Sequence, residues 1–142
     1  MVNENIYLRR LEKNDMNQVI LLLQSLSNFQ PKKSSYGSIW NEFAEQKNVY
    51  SLVAIVDHKV VGYGCLLIET KIRGGRMGHI EDIVTHTDFE RRGIGKQILE
   101  GLYKIAKEKN CYKLALQCSE HNVNFYEKCN YKLSGLSMQA FL

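Results

Sequence analysis

The stretch from Gly78 to Lys96 holds the residues best suited to chemistry. It reads Gly-His-Ile-Glu-Asp-Ile-Val-Thr-His and then Thr-Asp-Phe-Glu-Arg-Arg-Gly-Ile-Gly-Lys. The second half opens a helix marked by Ile94, Ile98, Leu102 and Ile105, whose spacing lays one apolar stripe along its length. A glycine-bearing turn before a helix leaves backbone N–H groups unpaired at the positive end of the helix dipole, where anionic phosphates bind. Arg91, Arg92 and Lys96 add charge there, and Gly93 and Gly95, on either side of Ile94, let a ligand approach the backbone without meeting a Cβ. This is a candidate diphosphate cradle, although short basic Gly-x-Gly starts also serve as plain helix caps. There is no G-x-x-x-x-G-K-[ST], and Ile98 stands where G-x-G-x-x-G would need its third glycine.

The first half supplies two adjacent carboxylates, Glu81 and Asp82, on an expected strand. Regular alternation sends them to opposite sides of the sheet, which predicts that they cannot form one acid–base dyad. Ile80, Ile83 and Val84 make their surroundings apolar, which argues against a merely solvated strand end. His79 and His86 are seven residues apart with no third ligand in sight, so no metal site is expected.

The elements that must position these groups follow in order. Ile6 to Leu11 predicts a short first strand, and Asn14 or Asp15 can cap a helix with Met16, Val19, Ile20, Leu23 and Leu26 on one face. Ser25 to Lys33 is polar and contains Pro31, which stops that helix. Tyr36, Ile39, Trp40 and Phe43 mark a second, shorter helix, with Trp40 as a core anchor. Ser51 to Val56 and Val60 to Ile68, joined by Asp57-His58-Lys59, predict a hairpin. Thr70 to Met77, with Lys71, Arg73, Gly74, Gly75 and Arg76, reads as a flexible basic loop. The Gly78 to Thr85 strand, the cradle and a helix to about Lys109 come next. Tyr112 to Cys118 predicts a strand, Ser119 a cap for a helix holding Asn122, Phe125 and Tyr126, and Tyr131 to Phe141 a final strand. The order β-α-α-β-β-β-α-β-α-β predicts an α/β fold, one domain over residues 1–142, with a mixed, mostly antiparallel sheet flanked by helices.

Composition limits the classes of function. The 142 residues are 44% apolar and 24% charged, as in an ordinary globular domain large enough to bury a core. No apolar run approaches a membrane span, and Asn3, Glu4 and Asn5 do not form a signal pattern, which predicts a cytoplasmic protein. Cys65, Cys111, Cys118 and Cys129 show no C-x-x-C pair and no zinc spacing, so reduced thiols are expected. The net charge of +4 suits an anionic ligand. No aromatic–basic interleaving marks a nucleic-acid platform, and the charge gathers at the cradle and one loop.

Arg-Arg-Gly-Ile-Gly-Lys after a strand resembles the acetyl-CoA loop of the GCN5-related N-acetyltransferase (GNAT) fold. Gly-His-Ile-Glu-Asp-Ile-Val, Asn-Cys-Tyr-Lys-Leu-Ala-Leu-Gln-Cys and Asn-Val-Asn-Phe-Tyr-Glu-Lys-Cys-Asn-Tyr, with the N-terminal Leu-Arg-Arg-Leu-Glu-Lys-Asn-Asp, look more narrowly like eukaryotic glucosamine-6-phosphate N-acetyltransferases. The resemblance runs through nearly the whole chain and is weakest from Gln30 to Val49. It implies a homodimer that moves an acetyl group from acetyl-CoA to the amine of glucosamine 6-phosphate, feeding UDP-N-acetylglucosamine synthesis. It also implies that N–H groups around Ile83 and Val84 meet the pantetheine arm or the thioester carbonyl, and that Asn122 contacts the pantetheine chain. Tyr126, protonated at neutral pH, would donate to the departing thiolate. Glu81 and Asp82 would lie near the acceptor amine, with Ser27 and Gln117 on the same side.

The chain departs from that family at three places. Glu90 replaces Gln or Arg at the lip of the loop, Gln117 replaces an acidic sugar contact, and the terminal Met-Gln-Ala-Phe-Leu lacks a basic residue for the sugar phosphate. Lys71, Arg73, Arg76 and Lys113 are the candidate replacements for that residue. Two other readings stand beside the sugar-phosphate enzyme: acetylation of another small or protein amine, and a non-catalytic acetyl-CoA-binding module.

Overall fold

The computed structural model describes residues 5–142; Asn3 and Glu4 lie outside the described residues. Five strands form one sheet in the order β1-β2-β3-β4-β5. They are β1 (Tyr7–Arg10), β2 (Val49–Val56), β3 (Lys59–Thr70), β4 (Arg76–Thr85) and β5 (Cys111–Leu116). The first four are antiparallel neighbours, and β5 runs parallel to β4. The helices are α1 (Met16–Leu23), α2 (Tyr36–Ala44), α3 (Ile94–Glu108) and α4 (Val123–Lys128).

Alternation along the strands divides the apolar side chains between two cores. Ile94, Ile98, Leu99, Leu102 and Ala106 of α3 pack with Leu52, Ala54, Val56, Val61, Leu66, Ile68 and Ile80 on one face of the sheet. Val19 and Leu22 of α1 pack with Val53, Ile55, Val60, Tyr63, Cys65 and Val84 on the other, with Phe43 of α2 at its edge. Trp40 is only half-buried and lies 6.4 Å from Phe43, so α2 is a cover for that core and Trp40 is not its anchor. Close approach fixes α3 on the sheet. A Cβ at Gly64 would come within 2.5 Å of Ile98 and 2.7 Å of Ile83, and one at Gly62 within 2.8 Å of Ile94. Only glycine leaves room for the helix there.

The β2–β3 hairpin turns through Asp57 and His58, both at positive φ (47° and 64°), as a two-residue connection whose twist matches its strands requires. The expected flexible loop after β3 is instead a closed turn. Lys71 N–H donates to the Gly75 carbonyl at 2.9 Å and Gly74 N–H to the Lys71 carbonyl at 3.0 Å, with Gly74 and Gly75 both at φ +91°.

The final strand expected over Tyr131 to Phe141 does not form. Residues 131–142 have no regular structure, and Leu133, Leu136, Met138 and Phe141 are 76–99% exposed. Within one chain the tail pairs with no strand, and its apolar side chains enter no core. The outer edge of β5 is likewise unpaired among the described residues.

At the other edge, Asp15 ties β1 to α1. Its buried carboxylate accepts two hydrogen bonds from Arg9, at 2.7 and 2.8 Å, and one from the Glu12 N–H at 2.8 Å. The Arg9 hydrogen bonds hold its pKa below the ordinary carboxylate value, so the stabilisation is present at neutral pH and is lost as pH falls through that lowered pKa. Asp15→Asn should cost about 1–3 kcal/mol at pH 7, because it removes the bidentate carboxylate of Arg9 and leaves only the more distant Glu12 charge beside the guanidinium. Urea unfolding from pH 7 to pH 3 should show the wild-type and mutant curves converging toward acid.

Candidate active site

The site forms where β4 leaves regular pairing. Its parallel ladder with β5 runs from Arg76 opposite Cys111 to Ile80 opposite Leu116 and then stops, although β4 continues to Thr85. Beyond that point the two strands part, and the backbone of residues 81–85 has no partner on the β5 side. On the β3 side the register shifts: Cys65 opposes Glu81 and Tyr63 opposes Val84, so Gly64 faces the extra residue of a bulge. Asp82 lies in that bulge at φ +57°, the left-handed region that a non-glycine residue seldom enters.

The bulge overturns the expected alternation. Ile80 and Ile83, three residues apart, both pack against the α3-side core. Glu81 and Asp82 between them therefore both turn toward the α1 side, and both carboxylates raise the pKa of the Cys65 thiol, after the larger effect of its burial. The two acids share one face of β4. Both are solvent-accessible, yet burial pushes the Asp82 carboxyl above its ordinary pKa. No hydrogen bond or ion pair reaches Asp82 among the described residues. A proton acceptor needs that combination of free lone pairs and raised basicity.

The cradle closes the cleft at the end of β4. Gly93, at φ +78°, is the N-cap of α3 and makes no side-chain cap hydrogen bond, so the first-turn N–H groups face outward. Ile94 is buried and anchors the turn. A Cβ at Gly95 would lie 3.0 Å from the Phe125 ring, so the absence of a side chain there lets α4 approach the start of α3. Arg91 and Lys96 are exposed beside the turn, whereas the Arg92 guanidinium lies 4.9 Å from the Phe89 ring centroid. Glu90 is exposed. His86 accepts a hydrogen bond from the Asp88 N–H and stacks edge-on against Phe89. This arrangement fits a diphosphate: outward N–H groups, adjacent cations and no obstructing side chain.

Tyr126, on α4, packs against the α3-side core and is held edge-on between Phe125 (5.0 Å) and Tyr131 (6.0 Å). Burial raises its pKa, which keeps the phenol protonated at neutral pH. Asn122 is exposed at the start of α4, and Gln117 is exposed just past the end of β5. Ser27, in the bend after α1, accepts a hydrogen bond from the Phe29 N–H.

The basic candidates separate clearly. Arg76 donates to the Lys109 carbonyl at the end of α3 and begins β4, about 17 Å along the strand from Glu81 at 3.3 Å per residue. Arg73 lies farther still, in the closed turn. Lys113 lies one register position nearer, and Lys71 follows Thr70, which is opposite Arg76, but turns its side chain back toward Glu69. Lys71 pairs with Glu69 at 3.0 Å, and the same Glu69 oxygen lies 3.0 Å from His79 Nε2, two residues before Glu81 on the same face. Lys113 lies opposite Met77 in the parallel register and so belongs to that face too. Sequence reasoning missed the partnership of His79 with Glu69 because the two are ten residues apart and meet only through the β3–β4 register.

Comparison with known proteins follows from this geometry. The sequence model of the Acetyltransferase (GNAT) family matches residues 17–131. The chain belongs to that acetyltransferase family. It is 35% identical to glucosamine 6-phosphate N-acetyltransferase 1 of Dictyostelium discoideum, covering 100% of this chain and 94% of that protein. It is 33% identical to the glucosamine 6-phosphate N-acetyltransferase of Candida albicans, covering 97% of each. The crystal structure of the Arabidopsis thaliana glucosamine-6-phosphate N-acetyltransferase superposes with a TM-score of 0.89 at 29% identity, covering 97% of this chain and 99% of that one. The chain is thus an acetyltransferase, and the parted β4 and β5 with the uncapped start of α3 form a cleft whose chemistry suits acetyl-CoA.

Gly93→Asp places a carboxylate and a side chain at a left-handed position in that cleft. It should abolish acetyl-CoA binding in calorimetry while circular dichroism shows a folded protein; near wild-type affinity would remove the cradle.

Proposed function

We propose that the protein is a glucosamine-6-phosphate N-acetyltransferase serving UDP-N-acetylglucosamine synthesis. Full-length similarity to enzymes of that name supports the substrate, and two carboxylates on one face of β4 together with the protonated Tyr126 phenol support the chemistry. Backbone N–H groups of Ile83 and Val84, with Asn122, hold the pantetheine arm and polarise the thioester carbonyl in the gap left by β5. The acceptor lies along the α1-side face, near Glu81, Asp82, Ser27 and Gln117. As the amine nitrogen forms its bond to the acetyl carbon, Asp82 takes the nitrogen's proton. The carbon–sulfur bond breaks, and Tyr126 gives its proton to the leaving sulfur. Much of the remaining rate comes from holding amine and thioester in attack geometry.

Lys71 and Lys113 are the cations placed to hold the sugar phosphate, in preference to Arg73 and Arg76 of the same chain. Charge-assisted bonds from two such donors replace the basic residue that the C-terminus lacks. The exposed apolar tail and the open edge of β5 support a homodimer in which residues 131–141 add to the partner's sheet and site. Four free cysteines support a reducing, cytoplasmic setting.

Tyr126→Phe should keep acetyl-CoA affinity and lower kcat about 10- to 1,000-fold, the effect of losing one proton donor. Unchanged kcat with chemistry limiting would return Tyr126 to a packing role. Lys71→Ala should raise KM for glucosamine 6-phosphate about 10-fold with kcat nearly unchanged, since it removes uniform binding. An equal rise in KM for acetyl-CoA would place Lys71 elsewhere.

A further inference from the structure

Beneath the two carboxylates the α1-side core contains a polar group that packing does not require. Ser51 Oγ and Tyr63 OH lie 3.0 Å apart, and the residues are 5% and 4% exposed. Around them are Val19, Leu22, Val53, Ile55, Val60 and Val84. A buried hydroxyl pair stabilises a fold little, and apolar replacement of both partners is often neutral or favourable. Cys65, 8% exposed and opposite Ser51 across the β2–β3 register, completes the group.

The β3 register places this group under the bulge. Tyr63 and Cys65 flank Gly64, the residue facing the extra residue of β4, and Asp82 leaves β4 on their side of the sheet. The negative charge of Asp82 is felt by both Tyr63 and Cys65. Asp82 itself has no hydrogen-bond partner among the described residues, and these buried hydroxyls lie on its side of the sheet.

We infer that Tyr63, oriented by Ser51, is a positioning residue for Asp82: it supports the side chain from below and supplies a dipole that steadies its charge when the acceptor amine gives up a proton. A fixed dipole in a poorly solvated site acts more strongly than the same group in water. The inference rests on the reading of Asp82 as the proton acceptor.

A double-mutant cycle in kcat/KM for glucosamine 6-phosphate separates this role from simple packing. The four proteins are the wild type, Tyr63→Phe, Asp82→Asn and the double variant. Single-turnover assays with enzyme in excess keep a loss of about 1,000-fold measurable. Tyr63→Phe should lower kcat about 10-fold and leave KM for acetyl-CoA unchanged, with a modest fall in Tm because the buried Ser51 hydroxyl loses its partner. In the Asp82→Asn background the same substitution should change the rate by less than about 2-fold. Ser51→Ala, which removes the hydroxyl that orients Tyr63, should show the same coupling and serves if Tyr63→Phe does not fold. Equal losses in both backgrounds would overturn the inference and leave Asp82 as proton acceptor. A fully active Asp82→Asn enzyme would overturn the proton-acceptor reading itself, and this inference with it.

Discussion

The site depends on an interruption in hydrogen bonding along β4. Up to Ile80 the strand is paired on both sides; past it the β5 ladder ends and the β3 register slips by one residue. The first change exposes backbone donors to a ligand, and the second turns two consecutive acids to one side. Unpaired backbone in a sheet interior is costly unless something else satisfies it. A pantetheine arm, rich in amide groups, is suited to do so. The interruption is held in place by close packing, because α3 sits against Gly62 and Gly64 with no space for a side chain. The helix that covers the bulge is the same helix whose uncapped start forms the cradle, which fixes the distance between the bulge and the cradle.

Electrostatics then differentiates groups of similar type. Asp15 and Asp82 are both aspartates near α1, yet Arg9 and a backbone N–H lower the pKa of the first while burial raises that of the second. The paired acid ties β1 to α1 and the unpaired one is available for proton transfer. Tyr126 and Tyr63 are both tyrosines with pKa values raised chiefly by burial, but Tyr63 is a core residue of the α1 side and Tyr126 is half-buried on α4 against the α3-side core. The same arrangement leaves Asp82 in a strained backbone conformation with an unsatisfied charge, as functional sites often do at some cost in stability.

Much of this was legible in the sequence. The stripe Ile94, Ile98, Leu102 marks α3, and Gly93 and Gly95 mark its start, because helix period and glycine geometry are local properties. The first four strands appear within two residues of their expected limits for the same reason, whereas α1 ends at Leu23 and leaves Leu26, expected on its apolar face, exposed. The bulge was not legible: Glu81-Asp82 contains no glycine, and the slip is set by Gly64 and α3, which lie far away in sequence. The closed turn at 71–75 has the composition of a mobile loop and gains its order from two backbone hydrogen bonds. The tail has the apolar pattern of a strand, but a strand needs an edge to pair with, and within one chain the tail pairs with none. Which cations share the face of Glu81 likewise depended on register, which put Lys113 and the Glu69 partner of Lys71 opposite Met77 and left Arg76 bonded at the end of α3.

The account stands most directly on the identity of the acceptor. Release of free CoA thiol from acetyl-CoA should be compared for glucosamine 6-phosphate, unphosphorylated glucosamine, a polyamine and a lysine peptide. A kcat/KM for the phosphate ester at least about 100-fold above that for glucosamine is predicted, since two charge-assisted contacts at roughly 1.5 kcal/mol or more each are lost without the phosphate. Equal use of the two sugars, or preference for the polyamine or peptide, would contradict it.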